Sequence, residues 1–225
     1  MTIEVRELKG IYGLRETAQY LANTPPLTNG NTIQINKLRY WIATSVPSIQ
    51  GVTDIPSRQR LITFLDLISL RMVVVLRSRG IPLQKIRNTE SWLCKEFNIP
   101  FPLATRSLWT YGEQVYIKFQ EHILAASKFG QRAMEFIDNW LKEVDLDMTF
   151  DIDETADSWL VYRNVRINPA IQLGEPCIDG TRIPTSIVWS NHKAGDSIQM
   201  IARSHNLQDY QVADAIEWEK RLVST

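Results

Sequence analysis

The chain has 225 residues, 44% hydrophobic and 22% charged, with seven tryptophans and a formal net charge of zero. That is enough apolar material for one large or two small cores and points to a globular protein. Cys94 and Cys177 form no CxxC pair and the three histidines, His122, His192 and His205, are scattered, so neither a disulfide nor a zinc site is expected.

In chain order, "MTIEVRELKG" carries acids and no apolar stretch, so no secretory signal is expected and a cytoplasmic protein is. "YGLRETAQYLA" predicts a short helix with Leu14, Ala18 and Leu21 on one side and Arg15 and Glu16 outside. The run "NTPPLTNGN" ends it. In "IQINKLRYWI", Ile35, Leu38 and Ile42 share a helical face, which leaves Asn36, Lys37, Arg39 and Tyr40 on the others. The following "TSVPSIQGVTDIPSRQR" holds two prolines and a glycine between short β-branched pairs, as a hairpin wing would.

Phe64, Ile68, Met72 and Val75 or Leu76 recur at helical spacing, and Gly80 is the stop. Three adjacent valines favour a strand locally, but the long flanking pattern decides for a helix. Asp66 and Arg71 interrupt this apolar run, so a membrane span is not expected. Pro82 opens the next helix, with Leu83, Ile86, Trp92 or Leu93, and Phe97 inward. Alternation in "QVYIKF" predicts a hairpin after Tyr111-Gly112, and Ala133, Phe136, Ile137, Trp140 and Leu141 trace a helical stripe. Short strands are expected near "MTFDI" and "SWLVYR". The acids Asp145, Asp147, Asp151, Asp153, Glu154 and Asp157 have no EF-hand register and read as a solvated edge or a contact surface for a basic partner.

The stretch "GEPCIDGTRIPTSIV", Gly174 to Val188, holds two glycines that tolerate positive φ and two prolines that fix it. A stiff folded loop is expected there. Thr185 and Ser186 are expected to cap a helix that follows; Gly195 ends it, Asp196 or Ser197 caps the next, and Asn206 breaks before a last helix from about Gln208 to Leu222.

Charge divides the chain. Residues 1–100 hold thirteen Lys/Arg against seven Asp/Glu, an excess of +6; residues 101–225 hold twelve against eighteen, −6. A basic unit suits phosphate and an acidic one a protein partner.

The segments "YGLRETAQYL", "LRYW" and "FLDLISLRMVVVLRSRGIPLQKIR" resemble the DNA-binding head of MerR-like winged helices. "RINPAIQLGEPCIDGTRIPTSIVW" through "AIEWEKRL" resembles the domain of unknown function 433, marked by a Gly-x-Pro-x-Ile-x-Gly-Thr-Arg-Ile/Val-Pro block. Chains joining the two are similar to VapB-type antitoxins, which bind their own promoter and neutralise a PIN-domain ribonuclease toxin. The resemblance implies a mainly α, α+β chain with small β elements. Its parts would be a winged helix-turn-helix over 1–105, a linking helix and short strands over 106–163, and a three-helix, helix-turn-helix-like bundle over 164–225.

On that resemblance Arg39 would reach guanine or a phosphate, Asn36 an adenine, and Lys37 and Tyr40 the backbone, with Arg15, Arg58 and Arg60 on phosphates. A homodimer on an inverted repeat is expected, and the N-terminal part alone should hold DNA weakly. Asp209, Asp214, Glu217 and Glu219 on the last helix oppose DNA there and favour protein contact: Asp209, Asp214 and Glu217, with Arg182, are the expected toxin-binding set. Two roles stand for Arg182: delivery into the nuclease's carboxylate cluster, or tying the loop to its own bundle. No nucleophile–base pair or phosphate-cradling loop is present, so no enzyme activity, cofactor or metal is expected. The alternatives are a regulator without a toxin and a protein-interaction adaptor.

Overall fold

A computed structural model describes residues 10–24, 35–43, 61–110, 114–124 and 147–224. The expected wing and the helical stripe over 133–141 lie outside these residues, as do Arg58 and Arg60. The described chain is mainly helical with two small antiparallel sheets, an α+β composition.

Strand β1 (Ile11–Tyr12) pairs with β2 (Ile62–Thr63), and between them in sequence lie α1 (Leu14–Ala22) and α2 (Ile35–Ala43). Helix α3 (Phe64–Ser78) follows β2 directly. Its start is a capping box: the Thr63 hydroxyl accepts from the Asp66 N–H at 3.2 Å, while Asp66 Oδ2 accepts from the Thr63 N–H at 3.0 Å. Its end is a left-handed turn at Gly80, φ +83°, with the Ile81 N–H returning to the Leu76 carbonyl. Between these caps almost every residue is buried, the three valines included. An all-round apolar helix belongs at the centre of a core, and that need overrides the local strand preference of valine.

Around α3 pack α4 (Leu83–Phe97), a 3₁₀ turn at Pro102–Ala104, α5 (Arg106–Trp109) and α6 (Gln114–Leu124). The hairpin expected over "QVYIKF" is helix α6 instead. Tyr116, Phe119 and Ile123, spaced by three and four, are its buried face, whereas Ile117 is 53% exposed. The apparent alternation came from apolar residues on opposite sides of one helix. Arg71, in mid-α3, is buried with its guanidinium 4.4 Å from the ring centre of Trp159 and 5.4 Å from that of Trp109. Burial lowers its pKa to about 9, which leaves it charged at neutral pH, with Asp147 nearby opposing the shift.

The second sheet runs β3 (Met148–Phe150), β4 (Ala156–Tyr162), β5 (Val165–Ile167), β6 (Cys177–Ile178), all antiparallel neighbours. The first two strands are those expected near "MTFDI" and "SWLVYR". Helices α7 (Thr185–Lys193), α8 (Ile198–His205) and α9 (Asp209–Ser224) complete the chain. Gly195 at φ +106° and Asn206 at φ +55° make the breaks, and the Ser197 hydroxyl caps α8 by accepting from the Met200 N–H.

Two hydrophobic cores result among the described residues. The larger runs from Tyr12 through α3 to Trp159 and Ile167, and takes in Trp218 from α9. The smaller joins Ile178, Val188, Ile201, Val212 and Ile216 among α7, α8 and α9. The boundary expected at 163/164 therefore falls inside the β4–β5 hairpin, where Trp159 pairs with Ile167. The one expected at 105/106 is crossed by the Arg106 N–H, which donates to the Glu154 carbonyl at 2.7 Å.

Candidate functional site

The signature loop is built almost wholly from internal bonds. Residues 172–174 are all left-handed, at φ +47°, +56° and +90°. The Tyr12 hydroxyl donates to the Gly174 carbonyl at 3.1 Å. The Pro176 carbonyl accepts from the Thr185 N–H at 2.9 Å and also from its hydroxyl. Ile178 sits in the smaller core, and its carbonyl accepts from both the N–H and the hydroxyl of Thr181 across the turn that Gly180 makes at φ +75°. The loop is folded on itself by these bonds and turns.

Helix α7 starts differently from the expectation. Neither Thr185 nor Ser186 caps it: the Thr185 hydroxyl turns to Pro176 and Glu219, and the Ser186 hydroxyl donates to the Glu175 carboxylate. Both are spent on joining the loop and α9 to the helix, and Pro184 supplies the extended backbone that precedes its first turn.

A different arginine ties the loop down. Arg166 on β5 donates from Nε to Asp179 Oδ1 at 2.6 Å and from Nη1 to the Ser158 hydroxyl at 3.0 Å, while Asp179 also accepts from the Gly180 N–H. Arg182 is exposed, and its guanidinium makes no hydrogen bond or ion pair among the described residues; only its backbone carbonyl is engaged, by Gln172 Nε2 at 3.1 Å. Cys177, buried beside it, has its thiol pushed up to about 11 by burial and by Glu175, so it is protonated and unreactive at neutral pH. The same holds for Cys94, also raised to about 11, chiefly by burial.

The acids expected to meet a partner separate into two kinds. Asp209 is exposed at the start of α9, and Glu217 is exposed 3.5 Å from Arg221. Asp214 is a correction. It is buried, with Oδ1 accepting from Arg163 at 3.1 Å and Oδ2 from Asn164 Nδ2 at 2.6 Å, so its carboxylate fastens the β4–β5 turn to α9 rather than facing outward. Glu219 likewise turns inward to Thr185. The face of α9 is less acidic than its sequence suggests.

On α2 the expected division holds: Leu38 and Ile42 are buried and Ile35 packs partly buried against the core, while Asn36, Lys37, Arg39 and Tyr40 are exposed; Trp41, not placed by the spacing, is buried as well. Lys37 Nζ lies 5.4 Å from the Trp41 ring centre. Arg15 is exposed on α1. Sequence reasoning missed Leu173, which is 85% exposed in a left-handed conformation; nothing in "IQLGEP" marks it except the glycine that follows.

Residues 165–218, from β5 through most of α9, match the family model described as "Protein of unknown function (DUF433)". Over nearly its whole length the chain is similar to a Mycobacterium tuberculosis (strain ATCC 25618 / H37Rv) protein named "Putative antitoxin VapB45". The two are 25% identical over 240 residues, which cover 96% of each chain. The fold is that of Rv2018, a Mycobacterium tuberculosis protein solved by X-ray crystallography. The TM-score is 0.69 at 20% identity, over 91% of this chain and 96% of the other. No helix among the described residues is long and apolar enough to cross a membrane.

Proposed function

We propose that this chain is a cytoplasmic antitoxin of a type II toxin–antitoxin pair, itself non-catalytic, which holds a PIN-domain ribonuclease toxin at the signature loop and its own promoter DNA at α2. The observation that carries the reading is the contrast between two arginines: Arg166 takes the structural task in the loop, and Arg182 is left exposed on it with no side-chain partner among the described residues. A guanidinium presented on a folded loop is suited to a cluster of carboxylates, where charge-assisted bonds would compete with the nuclease's Mg²⁺. The name carried by the whole-length relative agrees with this.

The DNA side of the reading follows the MerR-like plan. α2 would lie in the major groove with Arg39 on guanine or phosphate and Asn36 on adenine, Lys37 and Tyr40 would meet the backbone, and Arg15, Arg58 and Arg60 would hold further phosphates. A homodimer would match an inverted repeat. Asp209 and Glu217, exposed on α9, would add to the protein-binding surface.

The test is reconstitution with the product of the reading frame adjoining this one. The wild-type chain should block its ribonuclease activity and Arg182→Ala should restore much of it; inhibition by Arg182→Ala equal to wild type would sink the role of Arg182. Arg39→Ala should weaken promoter binding by about 1–3 kcal/mol if it reads a base. Retention of promoter DNA that ignores salt would return the chain to a protein-only adaptor.

A further inference from the structure

Leu173 occupies a backbone conformation that disfavours any residue with a Cβ, at φ +56° between Gln172 at +47° and Gly174 at +90°. No core contact explains it, since the side chain is 85% exposed. Yet the bend is held from both sides. Gln172 Nε2 donates to the Arg182 carbonyl at 3.1 Å, and the Tyr12 hydroxyl donates to the Gly174 carbonyl at 3.1 Å. The outcome of this bracing is to present Leu173 to solvent next to the stretch that carries Arg182.

More apolar surface lies close by. Ile187 is 44% exposed, one residue beyond Ser186, whose hydroxyl is bonded to Glu175. Residues 172–175 thus lie against residues 182–187, and together they show two exposed aliphatic side chains and one guanidinium with no partner among the described residues. An apolar anchor beside an arginine is the composition of an interface hot spot, and a backbone fixed in advance lowers the ordering cost of binding. Charge selects the occupant. Burying the guanidinium requires an acid opposite it, and Glu175 is already engaged by Ser186. A second copy of this chain meeting the patch about a two-fold axis would set Arg182 against Arg182.

We infer that Leu173 is an apolar anchor for the protein that Arg182 engages, inserted into a socket bordered by carboxylates such as a nuclease's metal site presents. The inference rests on the toxin-binding reading above and adds to it a residue and the shape of the socket.

The test measures binding of the purified, full-length chain to the purified product of the adjoining reading frame, with melting temperature and gel filtration alongside. Leu173→Gly relieves the backbone and should melt at or above the wild-type temperature while weakening the complex about tenfold or more. Leu173→Asp should weaken it further, and Leu173→Met should bind within about twofold of wild type. Binding by Leu173→Gly and Leu173→Asp within twofold of wild type, while Arg182→Ala weakens the complex, overturns the anchor and leaves the reading of Arg182 standing. A wild-type chain that does not bind that product removes the reading and the anchor together. A change in the chain's own oligomeric state, with partner affinity unchanged, assigns the patch to self-contact and also overturns the inference.

Discussion

The Tyr12 hydroxyl reaches across 162 residues of sequence to the carbonyl of Gly174, and the ring fills the space that a side chain on Gly174 would need. A Cβ there would collide with the Tyr12 hydroxyl and come within 3.1 Å of the Gly10 Cα, at a φ of +90° that suits glycine alone. Gly174→Ala should therefore cost roughly 2–5 kcal/mol, from backbone strain and a broken buried bond. Tyr12→Phe alone should cost about 1 kcal/mol. Because Tyr12→Phe also removes the atom Ala would strike, the double variant should lose less than the sum of the two, by chemical denaturation. Strict additivity would mean that the two residues do not share one contact.

The same contact belongs to a broader junction. Gln19 Nε2 donates to the Leu222 carbonyl at 2.7 Å, and the Tyr20 ring centre lies 5.8 Å from that of Trp218, which is itself fully buried. A chain ending at residue 163 loses Trp218, the Tyr12 acceptor and the strand paired with β4. It should lack a cooperative thermal transition rather than persist as a free DNA-binding head, as the sequence alone implied. A sharp melt by circular dichroism with DNA binding retained would restore the independent head.

Asp214 shows why a charge count along a helix misleads. Its two oxygens are bonded to Arg163 and Asn164, and it is 9% exposed. Arg163 is 67% exposed, so solvent screens much of that pair and the Asn164 bond carries most of the effect. Asp214→Ala should destabilise the chain by about 1–2 kcal/mol, and Arg163→Ala by less, since solvent screens its charge. Partner affinity of the folded Asp214→Ala chain should match wild type. A stable variant that has lost the partner would put Asp214 back in the interface.

Legibility in the sequence followed the range of the interaction. α3, α4 and α8 were readable because period, caps or breakers lie within a few residues of each other, as with Thr63 and Asp66 or Ser197 and Met200, whereas α7 was readable from its breakers and not from its caps. α6 was misread because Tyr116, Ile117 and Phe119 satisfy both a strand and a helix over so short a run, and burial against α4 and α5 decided between them. The exposed face of α2 followed from local pattern, whereas the spacing left both roles of Arg182 open and the structure decided for exposure. The inward turn of Asp214 and Glu219, the bracing of Leu173 and the structural role of Arg166 depend on partners far away in sequence, which no spacing rule supplies.

Glu90 gives a prediction in pH. It lies fully buried in α4, and burial, reinforced by the Asp66 carboxylate, raises its carboxyl well above the ordinary range. A folded-state pKa above the unfolded one makes the neutral acid a stabilising feature, fully present below about pH 4.3, where the unfolded group titrates. Stability is then lost as pH rises toward the folded pKa, by up to about 1.4 kcal/mol per pH unit. Glu90→Gln keeps the shape and removes the titration. The two chains should melt alike near pH 4, and the variant should gain steadily on wild type from there toward neutrality. Parallel melting-temperature profiles across that window would mean that Glu90 is ionised in the folded chain and satisfied by its surroundings.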